Sequence, residues 1–365
     1  MKKDLKIISF YLPQFHPFPE NDEWWGKGFT EWTNVGKARP LYRGHNQPRV
    51  PTELGYYDLR LPVVREQQAQ MARDAGVSAF CYWHYWFGNG KRLIADIFED
   101  VLASGRPDFS FCLGWANHSW YAKNWNSNGT TTNKLLIEQT YPGLEDEKMH
   151  FQFLLKAFRD SRYVKISGAP FLFIFDPVNL PDEYISNFKR WTKEAGFPDL
   201  FLVANIVHPK VTKEVLLSRG FNAVTYQRLG HSFDNSRAIR GIARMKSRVK
   251  NLLLRLPPNA VDYRESYKEL ICEEDSQEDV LPSIVPQWDH TPRSGWNGSL
   301  FTHATPDVFY KHVKEALEII KDKPLDRQII LLKSWNEWGE GNFMEPDLTY
   351  GRGFIEALRR AINEF

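Results

Sequence analysis

Short apolar runs alternate along this chain with longer stretches whose apolar residues recur every three or four positions. The runs predict strands over Ile7 to Gln14, Ser78 to Trp86, Phe109 to Asn117, Pro170 to Asp176, Leu200 to Ile206, Ala223 to Gln227, Ile284 to Asp289 and Gln328 to Trp335. The longer stretches predict helices over Pro62 to Ala75, Leu93 to Ser104, Glu145 to Asp160, Asp182 to Ala195, Thr212 to Arg219, Pro306 to Lys321 and Gly353 to Asn363. Strands that alternate with helices imply a parallel sheet. Eight repeats make the expected fold class α/β, a (β/α)₈ TIM barrel occupying residues 1–365 as one domain.

The polar positions strengthen this reading. Each predicted strand finishes in residues able to do chemistry: Tyr11 to His16, Tyr82 to Trp86, Trp115 to Asn117, Asp176, Asn205, Gln227, Trp288 to His290 and Asn336 to Glu340. In such barrels the C-terminal strand ends converge on one mouth, where active sites sit. Long loops are expected after strands one and six, over Pro17 to Leu61 and Arg228 to Pro282. The first, rich in Gly, Pro and aromatic residues, is expected to fold over the mouth. Within the second, Ser236 to Val261 has seven Lys or Arg and no acidic residue. Its apolar residues recur at helical spacing. Such a basic segment, 236–255, either contacts an anionic membrane surface or packs on the barrel as a solvated helix.

Composition sharpens the picture in one respect. The chain of 365 residues carries 13 Trp, 15 Tyr and 25 Phe, and clusters of these beside polar residues are candidates for a binding cleft. A net charge of +2 supplies no global field for nucleic acid. Three cysteines without paired spacing suggest neither zinc nor a disulfide framework, and reducing, cytoplasmic conditions fit best. The N-terminus lacks the apolar region of a signal peptide, although a trimmed leader would look the same. No Gly-rich phosphate loop, Gly-x-Ser-x-Gly elbow or His-Glu-x-x-His motif occurs, so no cofactor and no metal are expected.

Candidate chemistry centres on Ser334-Trp335-Asn336-Glu337-Trp338-Gly339-Glu340-Gly341-Asn342. Glu337 and Glu340 face opposite sides if extended but become neighbours in a turn, which Gly339 and Gly341 make easy. Two adjacent carboxyls can act as acid and base when their surroundings push their pKa values apart. Tryptophan beside them suggests a sugar ring. Asn336 and Trp338 therefore join the candidate site. So do Tyr11 and His16 at the first strand exit, and Glu31 and Trp32 in an aromatic segment read as a structured loop. Tyr82 and His84 come from an alternating run whose two faces, Tyr82, His84 and Trp86 against Trp83, Tyr85 and Phe87, sequence does not assign to inside or outside. Trp115 and Asn117 follow strand three. Trp288, Asp289 and Arg293 follow strand seven, where Asp289 and Arg293 either bind substrate or pair with each other. Trp32 and its neighbours either grip a sugar or form a small aromatic core.

Four motifs then carry a resemblance. They are Tyr11-Leu-Pro-Gln-Phe-His-Pro17, Asn21-Asp-Glu-Trp-Trp-Gly-Lys-Gly-Phe-Thr-Glu-Trp-Thr-Asn34, Trp288-Asp-His-Thr-Pro-Arg293 and Trp335-Asn-Glu-Trp-Gly-Glu340. Together they resemble the WbsX family, proteins with a glycoside hydrolase family 99-like domain. The resemblance implies a (β/α)₈ barrel and a link to bacterial surface polysaccharides such as O-antigen or capsule. More distantly, the chain resembles family 99 endo-α-mannosidases, which carry a similar Asn-Glu-Trp-x-Glu segment. By that likeness Glu337 matches the base that helps the sugar's own 2-hydroxyl attack the anomeric carbon. Glu340 matches the acid that protonates the leaving oxygen, with retention through a 1,2-anhydro sugar. Gly339 stands where those mannosidases tend to carry histidine. The expected partner is an oligo- or polysaccharide with α-linked, mannose-like sugars. The expected activity is hydrolysis, with WbsX-type transfer and non-catalytic glycan binding as alternatives.

Overall fold

The computed structural model describes residues 5–125, 131–207, 211–233, 254, 256–257 and 259–365. Eight parallel strands form its centre: β1 (Lys6–Tyr11), β2 (Ala79–Trp86), β3 (Phe111–Trp115), β4 (Ala169–Ile174), β5 (Phe201–Ile206), β6 (Ala223–Tyr226), β7 (Ser283–Ile284) and β8 (Ile329–Leu332). Their order is β6-β5-β4-β3-β2-β1-β8-β7. The remaining seam is drawn nearly closed by Val224, whose N–H donates to Asp279 O and whose carbonyl accepts from Leu281, both at 2.8 Å. The result is a nearly closed parallel barrel surrounded by helices, as the strand–helix rhythm predicts.

Two strands are shorter than the apolar runs suggest. β1 stops at Tyr11 because Pro13 follows, and β7 is held to Ser283–Ile284 between Pro282 and Pro286. Proline has no N–H to give a ladder. The helices are α1 (Pro62–Ala75), α2 (Asp96–Ser104), α3 (Leu144–Phe158), α4 (Asp182–Glu194), α5 (Lys213–Ser218), α6 (Pro306–Ile320) and α7 (Gly353–Asn363). α2 begins later than predicted because Arg92–Leu93 instead pairs antiparallel with Tyr85–Trp86 of β2.

The loop after β1 departs from expectation. It contains two short helices, Pro19–Trp25 and Glu31–Lys37, where sequence suggested none. Pro19 supplies a preset first helical position, and Gly26 ends that helix. The second helix is capped by Thr30, whose hydroxyl accepts from Trp32 N while Thr33 returns a bond to Thr30 N. An unforeseen hairpin, Trp120–Trp125 with Thr131–Ile137, follows β3. The basic segment expected at 236–255 lies, Leu254 apart, outside the described residues. Among the described residues no helix is long and apolar enough to cross a membrane.

The barrel interior is filled by rings. Phe10 stacks on Trp83 with centroids 4.7 Å apart, and Phe173 meets both edge-on. Gly114, in register with Trp83, makes the space: a Cβ there would lie 3.3 Å from the indole and 3.1 Å from Cys81 Sγ. A second layer lies between strands and helices. There Tyr11, Phe80, Tyr82, Phe98 and Phe111 pack together.

Candidate active site

Beyond Leu332 the chain keeps single bonds to its neighbours, from Lys333 N to Ile284 O at 2.9 Å and from Trp335 N to Phe10 O at 2.8 Å, and then folds into a small hairpin. Asn336–Glu337 pairs antiparallel with Asn342–Phe343, and Trp338–Glu340 forms a single 3₁₀ turn at its tip. Ser334 braces the base of the hairpin. Its hydroxyl donates to Asn342 O at 3.0 Å and accepts from Glu337 N at 3.1 Å. Gly341 has a φ of 56°, and a Cβ there would lie 2.7 Å from Asp289 Cβ. The neighbouring Glu340 carbonyl accepts from Asp289 N at 2.8 Å, which locks the hairpin to the exit of β7. The turn brings Glu337 and Glu340 onto one side.

The two carboxyls lie close enough to shift each other's titration in opposite directions. Two neighbouring carboxyls resist ionising together, so the state with one proton on the pair is favoured. Their surroundings then divide them. Glu337 is 8% exposed and receives only a neutral donor, Trp83 Nε1 at 3.1 Å. Burial first, and the Glu340 charge second, push its pKa well up, against the pull of Lys333 and Arg293. Burial pushes Glu340 up as well. The Arg293 guanidinium, with Nη1 at 2.6 Å from Glu340 Oε1, outweighs it together with Glu337, His290 and Lys333. Glu340 is therefore the anion and Glu337 holds the proton. His290 Nε2 lies 3.9 Å from Glu340. Lys333, at the end of β8, lies 5.6 Å from the Trp288 ring centre.

Arg293 has a second carboxylate. Its Nη2 lies 2.9 Å from Glu31 Oε2, and Glu31 also accepts from Asn34 at 3.4 Å. Glu31 is only 3% exposed. The structure thus brings Glu31, Arg293, Glu337 and Glu340 together, with Trp288 beside them. The alternative pairing of Asp289 with Arg293 does not form. Asp289 is occupied by His45 at 2.8 Å, Gln47 at 2.7 Å and the Thr291 N–H and hydroxyl. It holds the β1 loop to the β7 exit.

The other predicted site residues lie elsewhere, each for a packing reason. Tyr11 donates to Gln68 of α1 and Tyr82 packs on Phe98 of α2, so both face the helices. His84 meets His150 of α3 at 2.9 Å, and the wholly buried Trp115 packs on the same His150. Strand parity decides this: with Tyr82 and His84 outward, Trp83 and Tyr85 face the interior. Asn117 and Asn336 are buried main-chain clamps. Asn117 exchanges two bonds with Asp176, and Asn336 exchanges two with Leu12, tying neighbouring strand exits. Trp338 lies beneath the hairpin, stacked on Phe343 at 3.7 Å and donating to Glu345 at 2.6 Å. Trp32 joins Phe15, Tyr56, Tyr57 and Trp338 in an aromatic satellite core and donates to Tyr57 O. His16 is buried at the start of the β1 loop, and neither ring nitrogen has a hydrogen-bond partner.

Sequence reasoning passed over Trp83, Tyr85, His290 and Lys333 as site residues. The signal for the first two was present as an unassigned strand face. For Lys333 it was a lone cation closing an apolar strand. Among the described residues no group of three or more His, Cys, Asp or Glu could hold a metal ion.

A family model described as "Glycosyltransferase WbsX" matches residues 7–358. The chain is 31% identical over 361 residues to "Uncharacterized protein WxcX" of Xanthomonas campestris pv. campestris, covering 98% of this chain and 49% of that protein. It thus spans about half the length of the curated relatives it matches. Among solved structures it is similar to the GH99 endo-alpha-mannosidase from Bacteroides thetaiotaomicron, with a TM-score of 0.58 and 14% identity, covering 100% of this chain and 98% of that one. It is also similar to a "Glycoside hydrolase-like protein", with a TM-score of 0.57 and 15% identity, covering 99% and 94%. At such identities the likeness is one of fold.

Proposed function

The chain belongs to the WbsX family, and from that premise we propose that it is a carbohydrate-active enzyme that cleaves α-linked, mannose-like glycans of surface polysaccharides, with Glu337 and Glu340 as the reacting carboxyls. The observation that carries the proposal is their arrangement. Two acids lie together at the barrel mouth, one of them held by a cation and the other by an indole, and their surroundings push their titrations apart. A protonated and an ionised carboxyl side by side are what glycosidic cleavage needs. Retention is proposed with it, as the mannosidase resemblance implies.

The free-protein charges run opposite to the roles implied by the mannosidase resemblance. The proton sits on Glu337, which favours Glu337 as donor to the leaving oxygen and Glu340 as the base. The resemblance's order instead requires the proton to pass from Glu337 to Glu340 when substrate binds. An activated aryl α-mannoside separates the two, because its leaving group needs no acid. The variant, Glu337→Gln or Glu340→Gln, that keeps turnover on this substrate but loses it on an oligosaccharide identifies the donor.

The family's description as a glycosyltransferase supports a second reading, transfer to an acceptor hydroxyl in place of water. The chemistry at the glutamates is the same. Release of reducing ends from α-mannosyl oligosaccharides by the purified protein supports hydrolysis. Product only with an added acceptor supports transfer. Binding without turnover under either condition rejects catalysis in favour of a glycan-binding barrel. Transfer beside a membrane through segment 236–255 predicts vesicle association that weakens when Arg240, Arg244 and Arg248 are neutralised.

A further inference from the structure

Three loops meet at one guanidinium. Arg293 comes from the β7 exit, Glu340 from the hairpin after β8 and Glu31 from the first turn of the helix Glu31–Lys37 in the β1 loop. One nitrogen of the fork serves Glu340 at 2.6 Å and the other serves Glu31 at 2.9 Å. Glu31 is buried, and its remaining oxygen is taken by Asn34. Its Oε2 meets the guanidinium as an ion pair without an aligned hydrogen bond, and the side chain is 3% exposed, so it is committed to Arg293 and not open to the cleft. The Arg293 side chain is itself only half-buried, so the pair joins a buried carboxylate to a partly solvated cation.

The backbone beside the pair has been cleared for this arrangement. A Cβ on Gly339 would fall well inside contact distance of Glu31 Oε2 and 3.0 Å from Arg293 Nε. Gly339 has an ordinary negative φ, so glycine is not demanded by backbone conformation. It is demanded by what lies over its Cα. Any side chain at 339, the imidazole of the mannosidase pattern included, occupies the space in which Glu31 meets Arg293.

We propose that Glu31 and Arg293 form the device that fixes Glu340 as the anion of the carboxyl pair, with Glu31 a positioning residue that aims the guanidinium and Gly339 the gap that admits it. This deepens the reading of Glu337 and Glu340 as the reacting pair and rests on it. The charged and titratable groups facing Glu340 are Glu337, Arg293, His290 and Lys333, with Tyr85 also within its field. Arg293 alone among the cations makes a direct hydrogen bond to Glu340, and Glu31 competes with Glu340 for it. Removing Glu31 therefore does not simply strengthen the Arg293–Glu340 contact. It frees the guanidinium to swing towards Glu337 or solvent and loosens the helix that carries it into place.

The test is a carbon-13 titration of the glutamate carboxyls. Resonances of Glu337 and Glu340 are assigned by their loss in Glu337→Gln and Glu340→Gln. In the wild type Glu340 stays ionised to well below the usual carboxylate range, while Glu337 titrates above it. Arg293→Gln is expected to raise the Glu340 midpoint by at least about one pH unit, the size of effect an adjacent opposite charge exerts. Arg293→Lys restores part of it, and Glu31→Gln gives a smaller rise in the same direction. Gly339→Ala mimics Glu31→Gln. A purely structural role for the clamp would lower the melting temperature and leave the midpoints in place. Should Arg293→Gln destroy the fold, Arg293→Lys and Glu31→Gln decide. A folded Glu31→Gln and a folded Arg293→Lys with wild-type midpoints overturn the proposal. No glycan is needed, so the result stands apart from whether turnover is found.

Discussion

Two kinds of buried carboxyl lie a few residues apart in this chain. Glu345 is surrounded by neutral donors: Trp338 Nε1 at 2.6 Å, Gln68 Nε2 at 2.6 Å and Tyr57 OH at 2.9 Å. Glu340 is held by a guanidinium at 2.6 Å. Both are desolvated, yet they are driven apart. Burial raises Glu345 to about 7 although its hydrogen bonds pull the other way, whereas Arg293 keeps Glu340 ionised. Dipoles soften the cost of burying a charge, and an opposite charge reverses it. Glu345, with both oxygens committed, anchors the floor beneath the hairpin. Glu337 and Glu340 stand above that floor, and their titrations are pushed apart.

The largest effect that tests this contrast is on turnover. Glu337→Gln or Glu340→Gln should cost roughly 10²–10⁴-fold in kcat on an unactivated glycan, the usual worth of a positioned acid or base, with both variants still folded by circular dichroism. Equal activity in both variants and the wild type would break the distinction.

Glu345→Ala should do the reverse. It strands three buried donors and should lower stability by about 2–4 kcal/mol in chemical denaturation, with turnover per folded molecule far less affected than in the Gln variants.

The pH dependence of stability should carry opposite signs. Burial gives Glu345 a folded pKa of about 7, above the ordinary glutamate range. Its stabilising contribution is fully present below about pH 4.5 and is lost as pH rises through 7, a span on the order of 2–3 kcal/mol. Glu340 has a depressed folded pKa. Its contribution is present above the unfolded value and is lost as pH falls through the folded one. Glu345→Gln should flatten the stability curve between about pH 4.5 and 7. A curve that keeps the wild-type slope there would show that Glu345 does not titrate in that window.

The smallest effect separates the two faces of β2. Trp83→Phe removes the indole bond to Glu337, a loss of about 1 kcal/mol that should shift the pH profile of kcat, whereas Tyr82→Phe on the helix side should leave that profile unchanged. Equal shifts in both would mean that strand parity does not matter to the carboxyl pair.

Much of the fold was legible because burial leaves a period. The runs Ala79 to Trp83 and Ile329 to Leu332 are apolar without interruption, as strands covered on both faces must be. The helices between them show the 3.6-residue recurrence of a one-sided contact. The paired Glu337 and Glu340 were visible because the turn residues Gly339 and Gly341 stand between and beside them. The short helices at Pro19–Trp25 and Glu31–Lys37 were not, since neither is long enough to show a period and their caps are local hydrogen bonds. Arg293 gave no sign of its partners, which come from loops far away in the chain.

The sequence alone determined the eight-fold strand–helix rhythm, which residues alternate along a strand and that two glutamates follow the last strand. Those properties depend on neighbours within a few positions, where composition and spacing suffice. Only the tertiary structure decided which alternating set faces inward, that Asn117 and Asn336 clamp main chain, that Trp338 serves as floor, and that Arg293 divides its charge between Glu31 and Glu340. Parity along a strand is a local property, but the choice of inside is made by closure of the barrel. The electrostatics of the pair follow from distances among the exits of β1, β7 and β8, which no local pattern encodes.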